Sequence, residues 1–386
     1  MQYDLVFEGG GAKGLVFVGA MQAFEAAGHS FRRVIGTSAG AITATLLAAG
    51  YDADELLQAT SETLPDGRPR FSSFMDTPAS FDAETVAESL TWAILESIDN
   101  PILPKTIEDR ADRKLMEMLL KIPAYRNIFS FVEKGGWYDG HTFLDWLREK
   151  LNANGRKLGN TTLAQLNTRH PDTELTVLAA DTVGRERLIL NHRSAPNLPV
   201  VWAVRMSMSI PFLWQEVVWQ KRWGRYRAQN ITGHTIVDGG VLSNFAIDLL
   251  VTDDKSLRQL IGPIDSESKV LGLLIDENLV VPGSGETGLL EVEKANIKPN
   301  RLDLKQAQTI RRISQLADTL TNAHDKFVIS EYQDRVCRLP ARGYGTTEFD
   351  MSAERIQAII NAGRSTMKAF LRKDASPRRR SVRSSR

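Results

Sequence analysis

The chain has 386 residues, which is room for one large domain or for two or three small ones. Hydrophobic residues make up 42% of the sequence and charged residues 25%, as in ordinary globular proteins, and this excludes a disordered or fibrous chain. The formal net charge of +1 gives no whole-molecule reason to expect a nucleic-acid partner, and the single cysteine, Cys337, excludes an intramolecular disulfide and a cysteine-based zinc site.

The N-terminal region carries no recognisable export signal. Residues 1–8 lack the basic and apolar segments of a secretory signal and lead directly into a glycine cluster. The longest apolar stretch, residues 200–214, contains Arg205 and is too short and too polar to cross a bilayer. We therefore expect a cytoplasmic protein without a transmembrane segment, which could still rest peripherally on a membrane.

The first fifty residues alternate between strand-like and helix-like segments. Residues 3–8 form a short apolar run that predicts a strand, and after a glycine turn residues 15–27 are apolar on most faces, as in a helix buried against a sheet. Residues 31–36 predict a second strand, and the Ala- and Leu-rich residues 39–49 predict a second helix. This alternation predicts a parallel sheet.

Residues 52–140 differ from the segment before them. Prolines separate stretches of helical spacing such as residues 84–98 and 113–121. We interpret this region as a helical insertion over the core, which would serve as a lid or as a substrate-selecting region.

Short apolar runs return in the second half of the chain. Residues 175–180, 235–237 and 270–275 predict the strands that complete the central sheet. Residues 303–320 and 353–371 have apolar side chains near the helical period and predict packed helices.

The last fifteen residues, 372–386, form a basic tail. They hold seven Arg or Lys residues against one Asp and have no apolar periodicity. We interpret the tail as solvated and disordered; the alternative is an electrostatic contact with anionic lipid or nucleic acid.

A glycine-rich turn follows the first predicted strand. Its sequence matches the G-x-G-x-x-G pattern of dinucleotide-binding loops and consists of Gly9, Gly10, Gly11, Ala12, Lys13 and Gly14. Dinucleotide binding needs an acidic residue at the end of the second strand to hold the ribose, and that strand ends in Gly36, Thr37 and Ser38. The turn does not match a phosphate-binding P-loop either, because Lys13 is followed by Gly14 rather than by Ser or Thr.

The end of the second strand carries the G-x-S-x-G pattern of a nucleophile elbow, formed by Gly36, Thr37, Ser38, Ala39 and Gly40. In such a turn a strained backbone presents the serine hydroxyl above the sheet, and the glycines avoid collisions with the neighbouring strand and helix. The amide of Ala39 at the helix N-terminus, and the unshielded amides of Gly10 and Gly11, could stabilise an oxyanion. Lys13 would add positive potential nearby or lie in solvent.

A nucleophilic serine needs a base. None of the six histidines lies in a recognisable catalytic loop, although one closely precedes the strand predicted at residues 235–237; they are His29, His141, His170, His192, His234 and His324. A buried carboxylate could accept the proton directly, and Asp238, Gly239 and Gly240 follow that strand. In a parallel sheet the carboxyl end of a strand is where a positioned base is expected, so Asp238 is our candidate.

The three motifs, in this order, resemble those of the patatin-like phospholipases, which have a glycine-rich oxyanion loop, G-x-S-x-G and a distant D-G-G or D-G-A. Residues 206–212 (MSMSIPF), 238–245 (DGGVLSNF) and 343–350 (GYGTTEFD) are also similar to segments of that family. The resemblance covers residues 1–371 and implies a patatin-like three-layer α/β/α fold with a mostly parallel central sheet and a helical insertion. Two departures are Lys13, where many members have Arg, and Ala246, where many bacterial members have Pro.

The resemblance implies a serine lipid acyl hydrolase of the phospholipase A or lysophospholipase type, with membrane phospholipid or another acyl lipid as substrate and with no metal or cofactor. Ser38 would be the nucleophile and Asp238 the general base of a Ser/Asp dyad, and an oxyanion hole would be formed by the amides of Gly10, Gly11 and Ala39. Two alternatives stay open: a catalytically silent or regulatory lipid-binding protein on the same fold, and a Ser/His/Asp esterase.

Four of the seven tryptophans fall within residues 202–223, close to several basic residues. Proteins that rest on lipid head groups use this mixture of side chains. A membrane-contact face is one interpretation of this segment, and ordinary packing within a sheet or hairpin is the interpretation that we favour.

Overall fold

The computed structural model describes residues 1–97, 105–263, 267–283 and 332–375. It opens with strand β1 (Gln2–Phe7), helix α1 (Val16–Ala26), strand β2 (Ser30–Thr37) and helix α2 (Ala39–Ala48). These elements confirm the alternation predicted for the first fifty residues. The first helix begins as a 3-10 turn, Gly11–Leu15, which joins β1 to α1.

The segment after α2 is helical, as predicted for residues 52–140. Its helices are α3 (Ala53–Thr60), α4 (Ala83–Ala87), α5 (Leu90–Glu96), α6 (Lys105–Leu120) and α7 (Pro123–Lys134). The local sequence explains where they begin and end. Asp52 and Glu55 form a capping box at the start of α3, Ser89 caps α5 through its hydroxyl, and Gly135 ends α7 in the left-handed conformation.

The second half of the chain contains short strands and further helices. They are β3 (Gly136–Tyr138), α8 (His141–Asn152), α9 (Leu163–Arg169), β4 (Glu174–Asp181), β5 (Glu186–Leu190), α10 (Val200–Ser207), β6 (Phe212–Trp214), β7 (Val217–Val218), β8 (Thr235–Asp238), α11 (Asp248–Val251), α12 (Lys255–Ile261), β9 (Lys269–Val280), β10 (Val336–Arg342) and α13 (Ala353–Ala375). Helix α13 runs four residues past its predicted end at Leu371, so the beginning of the predicted basic tail is helical. The rest of that tail, and the helix predicted at residues 303–320, lie outside the described residues.

The central sheet has the strand order β10, β9, β1, β2, β4, β8, β7, with β5 also paired to β4. The neighbours from β10 to β4 run parallel, as predicted. Strand β8 runs antiparallel to both β4 and β7, so the prediction that Asp238 ends a parallel strand is wrong. The physical reason is the connection: β8 returns from β7 through a loop without the crossover helix that a parallel neighbour needs.

Helices cover both faces of this sheet. Along β1, Leu5 and Phe7 belong to the larger apolar core, which also contains side chains of α1, α2, α8 and α13, whereas Val6 belongs to a smaller core under α11 and α12. Because successive side chains of a strand point to opposite faces, these strands are apolar on both sides. The fold is therefore a three-layer α/β/α arrangement around a mostly parallel sheet, which confirms the predicted fold class.

The tryptophan-rich segment is packed inside the protein. Trp214, Trp219 and Trp223 are each about 1% exposed. The rings of Trp219 and Trp223 meet edge to face with their centroids 5.9 Å apart, and Trp214 Nε1 donates a hydrogen bond of 3.0 Å to the carbonyl oxygen of Phe74. For these three rings, the prediction of ordinary packing is therefore confirmed and a membrane-contact role is not. Within the described ranges, no helix has both the length and the apolar character needed to cross a membrane.

Candidate active site

Ser38 lies in a sharp turn between β2 and α2. Its backbone has φ 52° and ψ −120°, a strained conformation of the kind that costs about 1–3 kcal/mol and that the surrounding structure must enforce. A Cβ at Gly36 would lie 2.2 Å from the carbonyl oxygen of Gly40, and a Cβ at Gly40 would lie 2.3 Å from that of Phe7. The chain thus has the strained strand-to-helix turn expected from the G-x-S-x-G pattern, and only glycine fits on either side of it.

The glycine turn after β1 faces Ser38. Gly11 has a φ of +53°, and a Cβ at this position would lie 2.1 Å from the carbonyl oxygen of Thr346. That oxygen accepts a hydrogen bond of 2.9 Å from the amide of Ala12. Within the described residues, none of the main-chain hydrogen bonds that hold this turn is donated by Gly10 or Gly11. Their amides are therefore suitable donors to an oxyanion.

Ser38 and Asp238 line one small cavity. Its walls are formed by Gly9, Gly10, Gly11, Lys13, Ser38, Ile210, Asp238, Asn244 and Thr346. The register of the sheet explains why the two residues meet. Thr37 at the end of β2 pairs with Leu178 of β4, and Asp238 at the end of β8 pairs with the next residue of β4, Ala179. Strand β8 therefore runs antiparallel to β4, and its last residue, Asp238, lies beside the serine turn.

The carboxyl of Asp238 is about 1% exposed. Its Oδ1 accepts a hydrogen bond of 2.7 Å from the amide of Gly240, and no described residue forms a hydrogen bond of ordinary geometry with its buried Oδ2. Burial raises the pKa of Asp238 to about 7, and the Gly240 amide and the Ser38 hydroxyl lower it by smaller amounts. A carboxyl with this pKa is partly charged at neutral pH, which suits a general base.

The MSMSIPF segment, residues 206–212, is hydrogen-bonded to the main chain of both candidate residues. Ser207 Oγ accepts a hydrogen bond of 2.9 Å from the amide of Ser38, and the carbonyl oxygen of Ser209 accepts one of 2.9 Å from the amide of Asp238. The Ser209 hydroxyl is bonded in turn to the buried guanidinium of Arg205. The sequence showed only that this segment is similar to one in a known family, and no local pattern indicated that it contacts the two residues.

Asn244 connects the loop after Asp238 to the glycine turn. Its carbonyl oxygen accepts a hydrogen bond of 3.2 Å from the amide of Gly9, and its Nδ2 donates bonds of 3.1 Å to the Gly9 carbonyl oxygen and 3.4 Å to Glu8 Oε1. Glu8 Oε2 also accepts a bond of 2.5 Å from the amide of Ile275 in β9. These contacts fix the glycine turn relative to the carboxyl. Asn244 belongs to the DGGVLSNF segment, and no pattern in the sequence indicated this role for it.

Lys13 is buried rather than solvated, so one of the two alternatives left open for it is wrong. Its side chain is about 5% exposed, and its ammonium group forms an ion pair with the carboxylate of Glu277. Because Lys13 also lines the small cavity, its positive charge lies beside the glycine turn.

None of the five histidines in the described part of the chain lines this small cavity or the apolar cavity described below. His234 Nδ1 instead forms a hydrogen bond of 2.7 Å with Oδ2 of Asp181, whose other carboxyl oxygen accepts bonds from the amides of Val183 and Gly184. His324 lies outside the described residues. Among the described residues, no group of three or more His, Cys, Asp or Glu side chains could hold a metal ion.

A second cavity, which is apolar, opens from the same serine. It encloses about 670 Å³ including its mouth, and its walls are formed by Gly11, Ala12, Gly14, Leu15, Val18, Ser38, Ala39, Ile42, Thr43, Leu46, Leu56, Thr60, Phe71, Phe74, Met208, Ile210, Trp214 and Phe349. Gly11, Ser38 and Ile210 line both cavities. The serine therefore lies between a buried carboxyl and an apolar cavity.

A serine turn, a buried carboxyl and a glycine turn that line one cavity are the groups that an acyl hydrolase would need. Residues 5–251 match the model of the family described as patatin-like phospholipase, and the chain belongs to this family. Membership places the chain among the lipid acyl hydrolases.

The chain is also similar to individual proteins. It is 27% identical over 381 residues to the uncharacterised protein YqhO of Bacillus subtilis (strain 168), a match that covers 96% of this chain and 99% of that protein. Among solved structures it matches VipD from Legionella pneumophila with a TM-score of 0.46, 19% identity and coverage of 96% of this chain and 67% of VipD. It matches ExoU, in the ExoU–SpcU complex of Pseudomonas aeruginosa, with a TM-score of 0.39, 18% identity and coverage of 96% of this chain and 51% of that one, so it spans about half the length of ExoU.

Proposed function

We propose that the protein is a serine hydrolase of the phospholipase A or lysophospholipase type that cleaves carboxylic esters of membrane lipids through Ser38 and Asp238. One observation carries the proposal: a serine in a strained turn and a buried carboxyl with a pKa of about 7 line the same small cavity as the glycine turn. The family supplies the class of substrate.

In the proposed first step, Asp238 accepts the proton of the Ser38 hydroxyl while Ser38 Oγ attacks the ester carbonyl carbon. The carbonyl oxygen becomes an oxyanion, to which the amides of Gly10, Gly11 and Ala39 donate hydrogen bonds, each such donor contributing about 3–4 kcal/mol in related sites. The tetrahedral intermediate collapses, the carbon–oxygen bond to the alcohol breaks, and the alcohol leaves with the proton held by Asp238.

In the second step a water molecule hydrolyses the acyl-enzyme. Asp238 removes a proton from the water, the resulting hydroxide attacks the acyl carbon, and the carboxylic acid leaves as Ser38 regains its proton. Imidazole is not required, because burial raises the pKa of Asp238 to about 7, close to that of an ordinary histidine.

We further propose that residues 1–371 act as one catalytic domain, with residues 52–140 as its substrate-selecting region. Strands β9 and β10 come from the C-terminal part of this range and extend the sheet that contains β1. Helix α3, from the insertion, contributes Leu56 and Thr60 to the apolar cavity beside Ser38. The lipid substrate implies that the protein contacts a membrane peripherally when it acts.

The test combines hydrolysis of a soluble ester with active-site labelling. Ser38→Ala and Asp238→Asn should each lower kcat/KM by several orders of magnitude without unfolding the protein. A fluorophosphonate probe should label Ser38 in the parent and react much more slowly in Asp238→Asn, because the attacking hydroxyl has lost its proton acceptor.

A matched control addresses the Ser/His/Asp alternative. His234 forms a hydrogen bond with the buried Asp181, which lies in β4 two residues beyond the residue that pairs with Asp238. His234→Ala and Asp181→Asn therefore test whether this pair takes part. Both variants should retain most of the activity. If a folded His234→Ala variant is as inactive as Ser38→Ala, the dyad is refuted while the hydrolase class survives; lipid binding without turnover in the parent would favour the silent alternative.

A further inference from the structure

We propose that Arg355 is a positioning residue of the proposed reaction: through the loop of residues 343–350 it holds the glycine turn after β1 in the conformation that presents the Gly11 amide to the oxyanion. This inference rests on the proposed function, because it assigns the glycine turn to the oxyanion. Three contacts in series carry it: the loop contacts the glycine turn, a β-turn shapes the loop, and Arg355 fixes that β-turn.

The 343–350 loop, which joins β10 to α13, reaches the candidate site. Thr346 lines the small cavity next to Ser38, and Phe349 lines the apolar cavity. The ring of Phe349 meets that of Trp214 edge to face, with the centroids 5.7 Å apart. The loop therefore contributes to the walls of both cavities.

Thr346 holds the peptide group that follows Gly11. Its carbonyl oxygen accepts the 2.9 Å hydrogen bond from the Ala12 amide. The peptide group before Gly11 is held within the glycine turn, because the Gly10 carbonyl oxygen accepts a bond of 3.1 Å from the Lys13 amide. In a trans peptide the N–H and C=O point in opposite directions, so this second bond directs the Gly11 amide away from Lys13. Together the two bonds hold Gly11 at its φ of +53°, one of several conformations open to glycine.

Thr346 lies in a β-turn that is bonded at both ends. The amide of Glu348 donates a hydrogen bond of 3.2 Å to the Gly345 carbonyl oxygen, and the Gly345 amide donates one of 3.0 Å to Glu348 Oε2. Thr346 and Thr347 are the two central residues of this β-turn. The direction of the Thr346 carbonyl therefore depends on where the Glu348 carboxylate is held.

Arg355, in the first turn of α13, holds that carboxylate. Its Nε and Nη2 donate to the two carboxylate oxygens of Glu348 at 2.8 and 3.0 Å, and Nη2 also donates to the Gly343 carbonyl oxygen at 2.7 Å. The guanidinium carbon lies 4.2 Å from the centroid of the buried Tyr344 ring. One side chain therefore contacts the loop at its first residue, at its ring and at the end of its β-turn.

Helix formation does not explain an arginine at this position. The first turn of a helix lies at the positive end of the helix dipole, where a cation is disfavoured. A planar guanidinium can bind both oxygens of a carboxylate and stack on an aromatic ring at the same time, whereas a lysine ammonium acts as a point charge. The contacts of Arg355 with the loop therefore account for its place in α13.

The experiment compares Arg355→Met with the parent in hydrolysis of a soluble ester, with kcat expressed per serine labelled by a fluorophosphonate probe. The kcat should fall about 10- to 100-fold and KM should change less than about twofold, because the ester binds as before while the oxyanion loses an aligned donor. A trifluoromethyl ketone adds to the serine as a tetrahedral oxyanion, so its inhibition constant should rise by the same factor as kcat/KM falls.

Glu348→Ala should reproduce the effect, because Arg355 acts through this carboxylate. The double variant Arg355→Met/Glu348→Ala should be no slower than the slower of the two single variants, since both changes break the same contact. Losses that multiply in the double variant would overturn the proposed route through Glu348.

Arg193→Met is the matched control. Arg193 donates to the two carboxylate oxygens of Glu174 at 3.0 Å each and to the Ile261 carbonyl oxygen at 3.3 Å, and its side chain is 28% exposed, compared with 22% for Arg355. It lines neither cavity. Arg193→Met should lose a similar amount of stability and keep the kcat of the parent. An equal fall of kcat in both variants would overturn the proposal.

Hydrogen–deuterium exchange separates this inference from the proposed function, because it needs no turnover. Arg355→Met should speed exchange in Gly11–Leu15, where the Ala12 amide loses its acceptor, and Arg193→Met should not. If the parent hydrolyses no ester and takes no label but exchange shows this difference, the proposed function fails and the positioning of the glycine turn by Arg355 stands. If esters are hydrolysed and Arg355→Met keeps the kcat and the exchange of the parent, the inference fails and the proposed function stands.

Discussion

The buried carboxyl of Asp238 should make the protein less stable as the pH rises, and Asp238→Asn should remove this dependence. Burial raises the pKa of Asp238 to about 7 from its ordinary value of 3.8. Because the folded-state pKa is the higher one, the stability that the neutral carboxyl contributes is fully present below pH 3.8 and is lost as the pH rises through 7. At 1.36 kcal/mol per pKa unit the loss reaches about 4 kcal/mol, of which about 2.5 kcal/mol develops between pH 5 and pH 8.

The assay is urea unfolding at pH 5, 6, 7 and 8, followed by tryptophan fluorescence, since several tryptophans are buried. The free energy of unfolding of Asp238→Asn relative to the parent should increase by about 2.5 kcal/mol over this range, with an unchanged m-value. Ser38→Ala is the control: it also removes activity, but it retains the carboxyl and should follow the pH dependence of the parent.

A constant difference between Asp238→Asn and the parent from pH 5 to pH 8 would refute this reasoning, because the carboxyl would then be charged over this whole range in the folded protein, as it is in the unfolded one. The prediction also links stability to activity. The substitution that stabilises the protein at pH 8 is the one that should abolish turnover, as expected where an active site holds a group that the fold disfavours.

Four further outcomes are expected. The kcat/KM for a soluble ester should rise with pH through an apparent pKa near 7, because Asp238 acts in its charged form, and a profile that is flat from pH 5 to pH 9 would count against it. Gly40→Ala should abolish soluble expression or activity, since its Cβ would lie 2.3 Å from a main-chain oxygen of β1, whereas Gly345→Ala, whose Cβ would have 3.5 Å to its nearest neighbour, should leave both intact. Asn244→Ala should lower kcat about 10- to 100-fold with little change in KM, because it loosens the glycine turn; an unchanged kcat would show that the turn is held without it. Truncation after Ala375 should leave soluble-ester turnover unchanged, and a loss of turnover would make the basic tail part of the fold.

The elements that the sequence predicted well are those fixed by local chemistry. The first two strands and helices have apolar runs with clear ends, and the structure has them within a few residues of the prediction. The strained turn at Ser38 was also predictable, because Gly36 and Gly40 are required by contacts inside a single strand-turn-helix unit. The helical character of the insertion followed in the same way from spacing and from capping residues such as Asp52.

The features that were missed depend on partners far away in the chain. The direction of β8 is set by its pairing with β4 and β7, which the residues of β8 do not encode. The ion pair of Lys13 joins residues 264 positions apart, and the bond from Asn244 to the Gly9 carbonyl joins residues 235 positions apart. Asp238 was still identified, because its position at the end of an apolar strand is local even though the direction of that strand is not.

The candidate site extends beyond the segment that matches the family. Strand β9 pairs with β1 on the side away from β2, so the strand that precedes the glycine turn is an interior strand only because residues 269–280 cover its other edge. The same strand supplies the Ile275 amide to Glu8, and Thr346 accepts the hydrogen bond that holds Ala12. A chain ending at residue 251 would keep all three motifs but would expose the edge of β1 and release the glycine turn. The motifs are therefore necessary for the site, whereas its geometry requires the part of the chain that carries no motif.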